Sequence, residues 1–409
     1  MHPSFIKIHK IKGVQMSVTL TSRLLLVPIF IRKDKKHYII EDKTTGEFFE
    51  MPEVSVAAIH LLNNGESLEV IERQLRDKYP NEEVNLILFA EQLLDLNLIA
   101  EIDGEVVSSK EMNKERLGYL WISPKMGKFF FNKAALFFYV GVFILNLTLL
   151  LSHPSLVPQY KDLFIFKYMV FNIPAWLGIT FCLVLIHEFG HILAMRAHNL
   201  PTKLEIGHRL FLVVLETDMS SVWKLSSKDR NVLFLAGTCF DTVVLSIALI
   251  SQLFVSDGLG IFQGIMNLVV LDTFIRLFYQ FCVYMKTDLY YVFENVSGCY
   301  NLMENAQHLI FKRLRFVKSN VSENDVFPGE QRTILLYSIF YFIGVILTFA
   351  VYAIFYIPQL WFAFKKVLPG FLEGPATFPF WDALLFSLQI TFGFGVLLYS
   401  WRKKYLRGY

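Results

Sequence analysis

Residues 177–191 read Leu-Gly-Ile-Thr-Phe-Cys-Leu-Val-Leu-Ile-His-Glu-Phe-Gly-His. The apolar stretch 177–186 runs straight into His187-Glu188-Phe189-Gly190-His191. On a helix, His187 and His191 lie one turn apart on one face, where both imidazoles can share a metal ion. Glu188 lies beside them and could accept a proton from a water on zinc. Two imidazoles and a carboxylate at the end of an apolar helix are costly in hydrocarbon unless they are paired or ligated. The stretch therefore predicts a zinc-binding helix inside a membrane span.

The rest of the chain agrees with a membrane setting. Of 409 residues, 54% are hydrophobic, 40 are Phe and only 18% are charged, and mean hydropathy is +0.44. A soluble domain carries roughly a quarter charged residues. The net charge of +3, with no dense Lys/Arg stripe, excludes nucleic acid as an expected partner. Cys182, Cys239, Cys282 and Cys299 form no close pair, three of them lie in apolar runs, and buried free thiols are expected. Lys7, His9, Lys10, Lys12, Arg23 and Arg32 interrupt the first 32 residues, which argues against a secretory signal there.

Two regions differ in chemistry. Residues 1–110 read as a small winged-helix-like α/β domain. Strand candidates 37–40 and 47–51 flank the turn-like Asp42-Lys43-Thr44-Thr45-Gly46. Three helical patterns follow: 54–62, one opening after Ser67, and one beginning at Asn81-Glu82-Glu83 with Val84, Ile87, Leu88, Leu94 and Leu98 at near-helical spacing. Residues 111–133 form a linker and interfacial segment, with Phe129–Phe131 between Lys128 and Lys133. Residues 134–409 form a polytopic α-helical membrane domain. It holds about six runs of spanning length, 134–151, 169–196, 231–254, 261–285, 333–357 and 380–400.

Basic residues set an expected orientation. Among the segments that join or follow the spans, 197–230, 286–332 and 401–409 hold 15 Lys and Arg, whereas the alternate loops hold only Lys161, Lys167, Lys365 and Lys366. Both termini are expected on the cytoplasmic side. Spans two and four then both run inward, so His187 and His191 lie at a depth similar to Asp288, just past the fourth run. Zinc needs a third protein ligand. The candidates are Asp288, Asp241, Asp272, His198, His208 and Glu294, and depth selects Asp288. Asp272 has Arg276 one helical turn on as an ion-pair partner. Residues 203–222 are β-rich and suit a hairpin whose edge could receive a peptide strand.

The His-Glu-Phe-Gly-His helix together with Thr287-Asp288-Leu289-Tyr290-Tyr291 resembles the paired motifs of the site-2 protease class of intramembrane zinc metalloproteases. That resemblance implies Zn2+ held by His187, His191 and Asp288, with Glu188 as the catalytic base. Family members often carry Gly after the aspartate, where this chain has Leu289. The Asp288-Leu289-Tyr290-Tyr291 form, Asn301-Leu302 beyond it, and Ala236-Gly237 with Asp241 are closer to the branch associated with modified-peptide (RiPP) clusters. Residues 1–110, with Tyr38-Ile39-Ile40 and Glu47-Phe48-Phe49, resemble the PqqD-like domains that bind leader peptides. The implied partners are a precursor or modified peptide whose leader binds residues 1–110, membrane lipid, and a peptide exporter. The implied location is a bacterial cell membrane.

Two other readings stay open: regulated cleavage of a membrane-anchored signalling protein, and a non-catalytic export or immunity partner that retains a metal site. The roles of Asp241 and of the Asp272/Arg276 pair also stay open.

Overall fold

The computed structural model describes residues 18–35, 37–107, 118–209, 212–254, 260–300, 302–303, 305–307, 309 and 331–406. Asn301, the basic cluster Lys312, Arg313, Arg315 and Lys318, and part of the 111–133 linker lie outside them. The chain divides into two compact units. One comprises Met1–Arg116, Ser220–Arg230 and Glu294–Leu335, and the other Leu117–Met219, Asn231–Phe293 and Leu336–Tyr409.

The first unit opens with the β-rich N-terminal region. Pro28 splits the apolar run 24–31 (Leu-Leu-Leu-Val-Pro-Ile-Phe-Ile) into β1 (Leu24–Leu26) and β2 (Ile29–Asp34), because its ring removes a ladder donor. β3 (His37–Asp42) and β4 (Phe48–Met51) form the expected hairpin, with Tyr38 opposite Met51 and Ile40 opposite Phe49. The buried Asp42 carboxylate builds the turn, accepting from Thr44 N–H at 2.8 Å and Thr45 Oγ1 at 2.8 Å. Gly46, at φ +75°, closes it. β2, β3 and β4 make one three-stranded sheet; β1, β5 (Ile99–Ile102) and β6 (Glu105–Val106) make another.

Three helices complete the N-terminal core: α1 (Glu53–Asn63), α2 (Leu68–Lys78) and α3 (Leu86–Asp95). On α2, Leu68, Ile71 and Leu75 face inward, while Arg73 pairs with Glu69 and Arg76 with Glu72 on the outer face. The third helix starts later than the sequence suggests. Asn85 Oδ1 accepts from Leu88 N–H at 3.0 Å, which caps the helix there and leaves 81–84 outside it.

A buried polar cluster lies within the same unit. The Arg230 guanidinium is fully buried and pairs with Asp34 at the end of β2. Tyr300 Oη donates to Asp34 at 2.9 Å, and the Trp223 ring lies 4.6 Å from the guanidinium carbon. Burial raises the Tyr300 phenol above its ordinary pKa, which keeps it a donor.

The second unit is helical. Among the described residues, five helical segments are long and apolar enough to cross a membrane: Lys133–Ser152, Met169–Ala197, Ser227–Phe254, Gly260–Tyr279 and Gln331–Glu373. They identify a polytopic membrane protein. The helices from residue 124 on are α4 (Pro124–Phe130), α5 (Lys133–Ser152), α6 (Asn172–Ala197), α7 (Ser227–Phe234), α8 (Ala236–Phe254), α9 (Gly260–Tyr279), α10 (Asp288–Ser297), α11 (Gln331–Val351), α12 (Ile357–Val367) and α13 (Phe378–Leu406), of which the start of α7, the end of α10 and the start of α11 belong to the first unit. The expected run 380–400 falls within α13. A π-helical turn, Tyr352–Tyr356, joins α11 to α12 just before Pro358, which has no N–H to continue the ladder.

Small residues let the helices around α6 approach closely. A Cβ on Gly127 of α4 would strike the α6 backbone at Leu193 and Ala197. One on Gly190 of α6 would meet the Ala236 carbonyl at 2.7 Å. α6 ends where Asn199 turns to φ +56°, and the buried Arg196 guanidinium holds the Ile122 and Leu200 carbonyls at 3.0 Å each. The chain then forms the hairpin expected within 203–222, β7 (Leu204–Arg209) antiparallel to β8 (Leu212–Thr217).

Candidate metal centre

α6 presents His187 and His191 on one face, and α8 packs against that face. The His191 Nδ1 faces the Leu233 carbonyl at 2.9 Å, and an oxygen that only accepts fixes that nitrogen as N–H. The His187 Nδ1 faces Asp241 Oδ2 at 2.8 Å and is fixed in the same way. In the neutral rings, both Nε2 lone pairs then turn toward one point. Asp288 Oδ2 points to the same place, 3.2 Å from His187 Nε2 and 3.4 Å from His191 Nε2. The two Nε2 atoms are 3.3 Å apart.

These separations test the fit of a metal. Ligand atoms about 2.0–2.1 Å from a tetrahedral zinc ion lie about 3.3–3.4 Å from one another. Three acceptors therefore converge at the edge length of a zinc tetrahedron, with no proton assigned between them and a fourth corner left over. His191, Asp288 and Glu188 are buried, as are Asp241 and Asp272 close by. Four carboxylates share this region with the guanidinium of Arg276, an imbalance that a divalent cation reduces. The buried His187, His191 and Asp288 cluster among apolar helices is thus suited to a zinc-type ion.

Asp288 reaches the site by a local device that the sequence did not reveal. The fourth expected run, 261–285, is shorter as a helix because α9 stops at Tyr279. A 3-10 turn (Val283–Met285) follows, Lys286 takes φ +53°, and α10 starts at Asp288. The left-handed residue therefore precedes the aspartate, and Leu289 sits in ordinary helix, so no glycine is needed after Asp288. Gln280 holds the carboxylate from behind. Its Oε1 accepts from Asp288 N–H at 3.1 Å and its Nε2 donates to Asp288 Oδ2 at 3.3 Å. The Thr287 hydroxyl donates to the Gln280 carbonyl at 2.8 Å.

Glu188 lies next to the cluster. Its Oε2 accepts from Thr217 N–H at 2.8 Å, and its backbone carbonyl accepts from the Thr217 hydroxyl at 3.2 Å. Asp218 N–H turns inward to the Lys203 carbonyl, so Thr217 N–H belongs to the outer edge of β8. An apolar cavity of about 450 Å³ opens on the same side, lined by Leu185, Ile186, Phe189, Ile192, Leu204 and Phe240, with Glu188 in its wall.

The other candidate ligands lie elsewhere. His198 is exposed after the end of α6, His208 lies in β7, and Glu294 is buried in α10. Asp241 is not among the converging ligand atoms but holds His187 from behind. Arg276 pairs with Asp272 at 3.3 Å, as its spacing suggests, and also reaches Asp241 at 2.7 Å. Sequence reasoning left out Gln280, Thr217, the Leu233 carbonyl and the Arg276–Asp241 contact. Asp241 was expected as a candidate ligand, and its place behind His187 is visible only in the structure.

The chain matches no protein-family model, no curated protein and no solved structure.

Proposed function

We propose that this chain is an intramembrane zinc metalloprotease of the site-2 protease kind, which cuts a peptide precursor near the cytoplasmic face of the membrane. The observation that carries the reading is the triangle of His187 Nε2, His191 Nε2 and Asp288 Oδ2, with the Glu188 carboxylate held beside it. When bound, zinc supplies a Lewis acid that acidifies water and polarises a carbonyl.

The protein's own groups do the rest. Glu188 takes a proton from the attacking water and returns it to the leaving amine nitrogen. Thr217 N–H aims the Glu188 carboxylate. Asp241 and the Leu233 carbonyl keep each histidine proton on Nδ1, so that both Nε2 atoms remain ligands. A scissile bond must be extended to expose its carbonyl, and the outer edge of β8 offers a strand to pair with it.

The finer reading concerns the substrate. Residues 1–110 would act as a PqqD-like winged-helix recognition domain for the leader of a ribosomally made, modified peptide. Residues 111–133 would serve as linker, and 134–409 as the catalytic membrane domain. The β3–β4 hairpin followed by α1–α3 supports this assignment. A cytosolic peptide also suits a site expected near the inner face, with both termini cytoplasmic.

The test uses the full-length protein in nanodiscs, with precursor peptides carrying or lacking a leader. Cleavage should depend on zinc, be lost in Glu188→Gln, and be faster with the leader attached. A zinc-loaded protein that cleaves no peptide would contradict the enzymatic reading and favour a non-catalytic partner.

A further inference from the structure

Arg276 is an arginine on a helix long and apolar enough to span a membrane, and its own-helix partner Asp272 accounts for only part of its geometry. An Arg–Asp pair one turn apart needs no second carboxylate. Here the closer contact goes to another helix: Arg276 Nη2 donates to Asp241 Oδ1 at 2.7 Å. The approach of its Nε to Asp272 Oδ2 is looser, at 3.3 Å. Asp272 in turn accepts from the Thr180 hydroxyl at 2.7 Å.

These contacts close a ring. Thr180 on α6 bonds Asp272 on α9, which faces Arg276 on the same helix; Arg276 bonds Asp241 on α8; and Asp241 accepts from His187, back on α6. Thr180 and His187 are seven residues apart, two turns along one face of α6. The two oxygens of Asp241 are thereby assigned separate tasks. Oδ1 is held by the guanidinium and Oδ2 by the imidazole.

We propose that Arg276 is a positioning residue for the metal centre: it holds the Asp241 carboxylate so that His187 keeps its proton on Nδ1 and offers Nε2 to the metal. The proposal rests on the metal-site reading above. Carboxylates behind metal-bound histidines fix the ring and raise its strength as a ligand. Between apolar helices such a carboxylate needs a counter-charge, and Arg276 provides it, with Asp272 as its looser second partner. The planar fork matters, because its separate nitrogens face two carboxylates at once, which a lysine ammonium on a flexible stem does not reproduce.

The experiment measures Co2+ binding to the full-length protein in nanodiscs, by competition with a chelator and by the visible absorption of bound Co2+. Asp241→Asn keeps the shape and removes the charge, and is expected to weaken Co2+ by about 10- to 100-fold and to alter the band envelope. Arg276→Met, which leaves two carboxylates without their cation, should move both readouts in the same direction. Arg276→Lys should fall between it and wild type. A purely structural role would instead lower the thermal stability of the metal-free protein while leaving the saturated Co2+ spectrum unchanged.

If Arg276→Met does not fold, Arg276→Lys and Asp241→Asn carry the test. Affinities within about threefold of wild type, well short of the roughly 10- to 100-fold loss expected, and an unchanged spectrum in these two variants would overturn the proposal. Should the wild type bind Co2+ with this dependence yet cleave no peptide, the proteolytic reading falls and the positioning role stands. Failure of the wild type to bind Co2+ removes both.

Discussion

Gly237 lies so close to His187 that a Cβ placed on it would overlap the imidazole at Nε2, Cε1 and Cδ2. The ring cannot yield easily, because Asp241 holds its Nδ1 and its Nε2 faces the other two ligand atoms. Gly237→Ala should therefore push the ring out of the ligand triangle. An overpacked site costs about 1–3 kcal/mol, which corresponds to a loss of roughly 5- to 150-fold in metal affinity if it falls on the bound state. Zinc content after dialysis against a graded chelator series checks this, and wild-type retention in Gly237→Ala would show that the helices relax instead.

Removing the proposed base, Glu188, should separate binding from chemistry. Glu188 is not one of the three converging ligands, so Glu188→Gln should hold zinc as tightly as wild type. Loss of a general base slows proton transfer by about 10²- to 10⁴-fold. Parallel zinc analysis and peptide cleavage on one preparation will show whether the metal stays while turnover drops. Loss of both would mean that Glu188 helps to hold the metal.

Gln280 should matter to metal retention although it is not a ligand. Both ends of its amide engage Asp288, one on the backbone N–H and one on Oδ2. Gln280→Ala frees the carboxylate to turn away, and zinc affinity should fall by about 10-fold or more, as for other groups that orient ligands. Gln280→Glu should fare no better, since it loses the donor and sets a second carboxylate against Asp288. Release of zinc to a chromogenic chelator gives the comparison, with unchanged release counting against the role.

What the sequence made legible follows from physical range. His187 and His191 could be read because a helical repeat of four residues places them together whatever surrounds the helix. Asp288 followed from depth, a coarse coordinate that survives an error in where α9 ends. The turn at Asp42–Gly46 was legible because its chemistry is local. By contrast, Gln280, Thr217 and the Leu233 carbonyl act through the rotation of one helix or strand against another, which spacing along the chain does not encode. Arg276 shows the limit well. Its partner Asp272, one turn away, was predictable, and its stronger contact to Asp241 on α8 was not. The start of α3 is not legible in the sequence because either Asn81 or Asn85 can cap a helix, and only packing chooses Asn85.

The buried pair in the first unit makes a separate prediction about stability. Arg230 is fully enclosed, paired with Asp34, bonded to Tyr300 Oη at 3.2 Å and covered by Trp223. Arg230→Met fills much of the same volume but leaves Asp34 buried without its cation. Breaking a buried pair by removing one partner costs about 3–5 kcal/mol. Replacing both charges by apolar groups is often close to neutral, so Asp34→Leu combined with Arg230→Met and Tyr300→Phe should recover much of that loss. The measurement is limited proteolysis of the full-length protein across a temperature series, which reads local opening of the N-terminal region. Faster cutting in the single variant and recovery in the triple one are expected. Equal cutting in wild type and Arg230→Met would mean that Asp34 finds water or another donor once the guanidinium is gone.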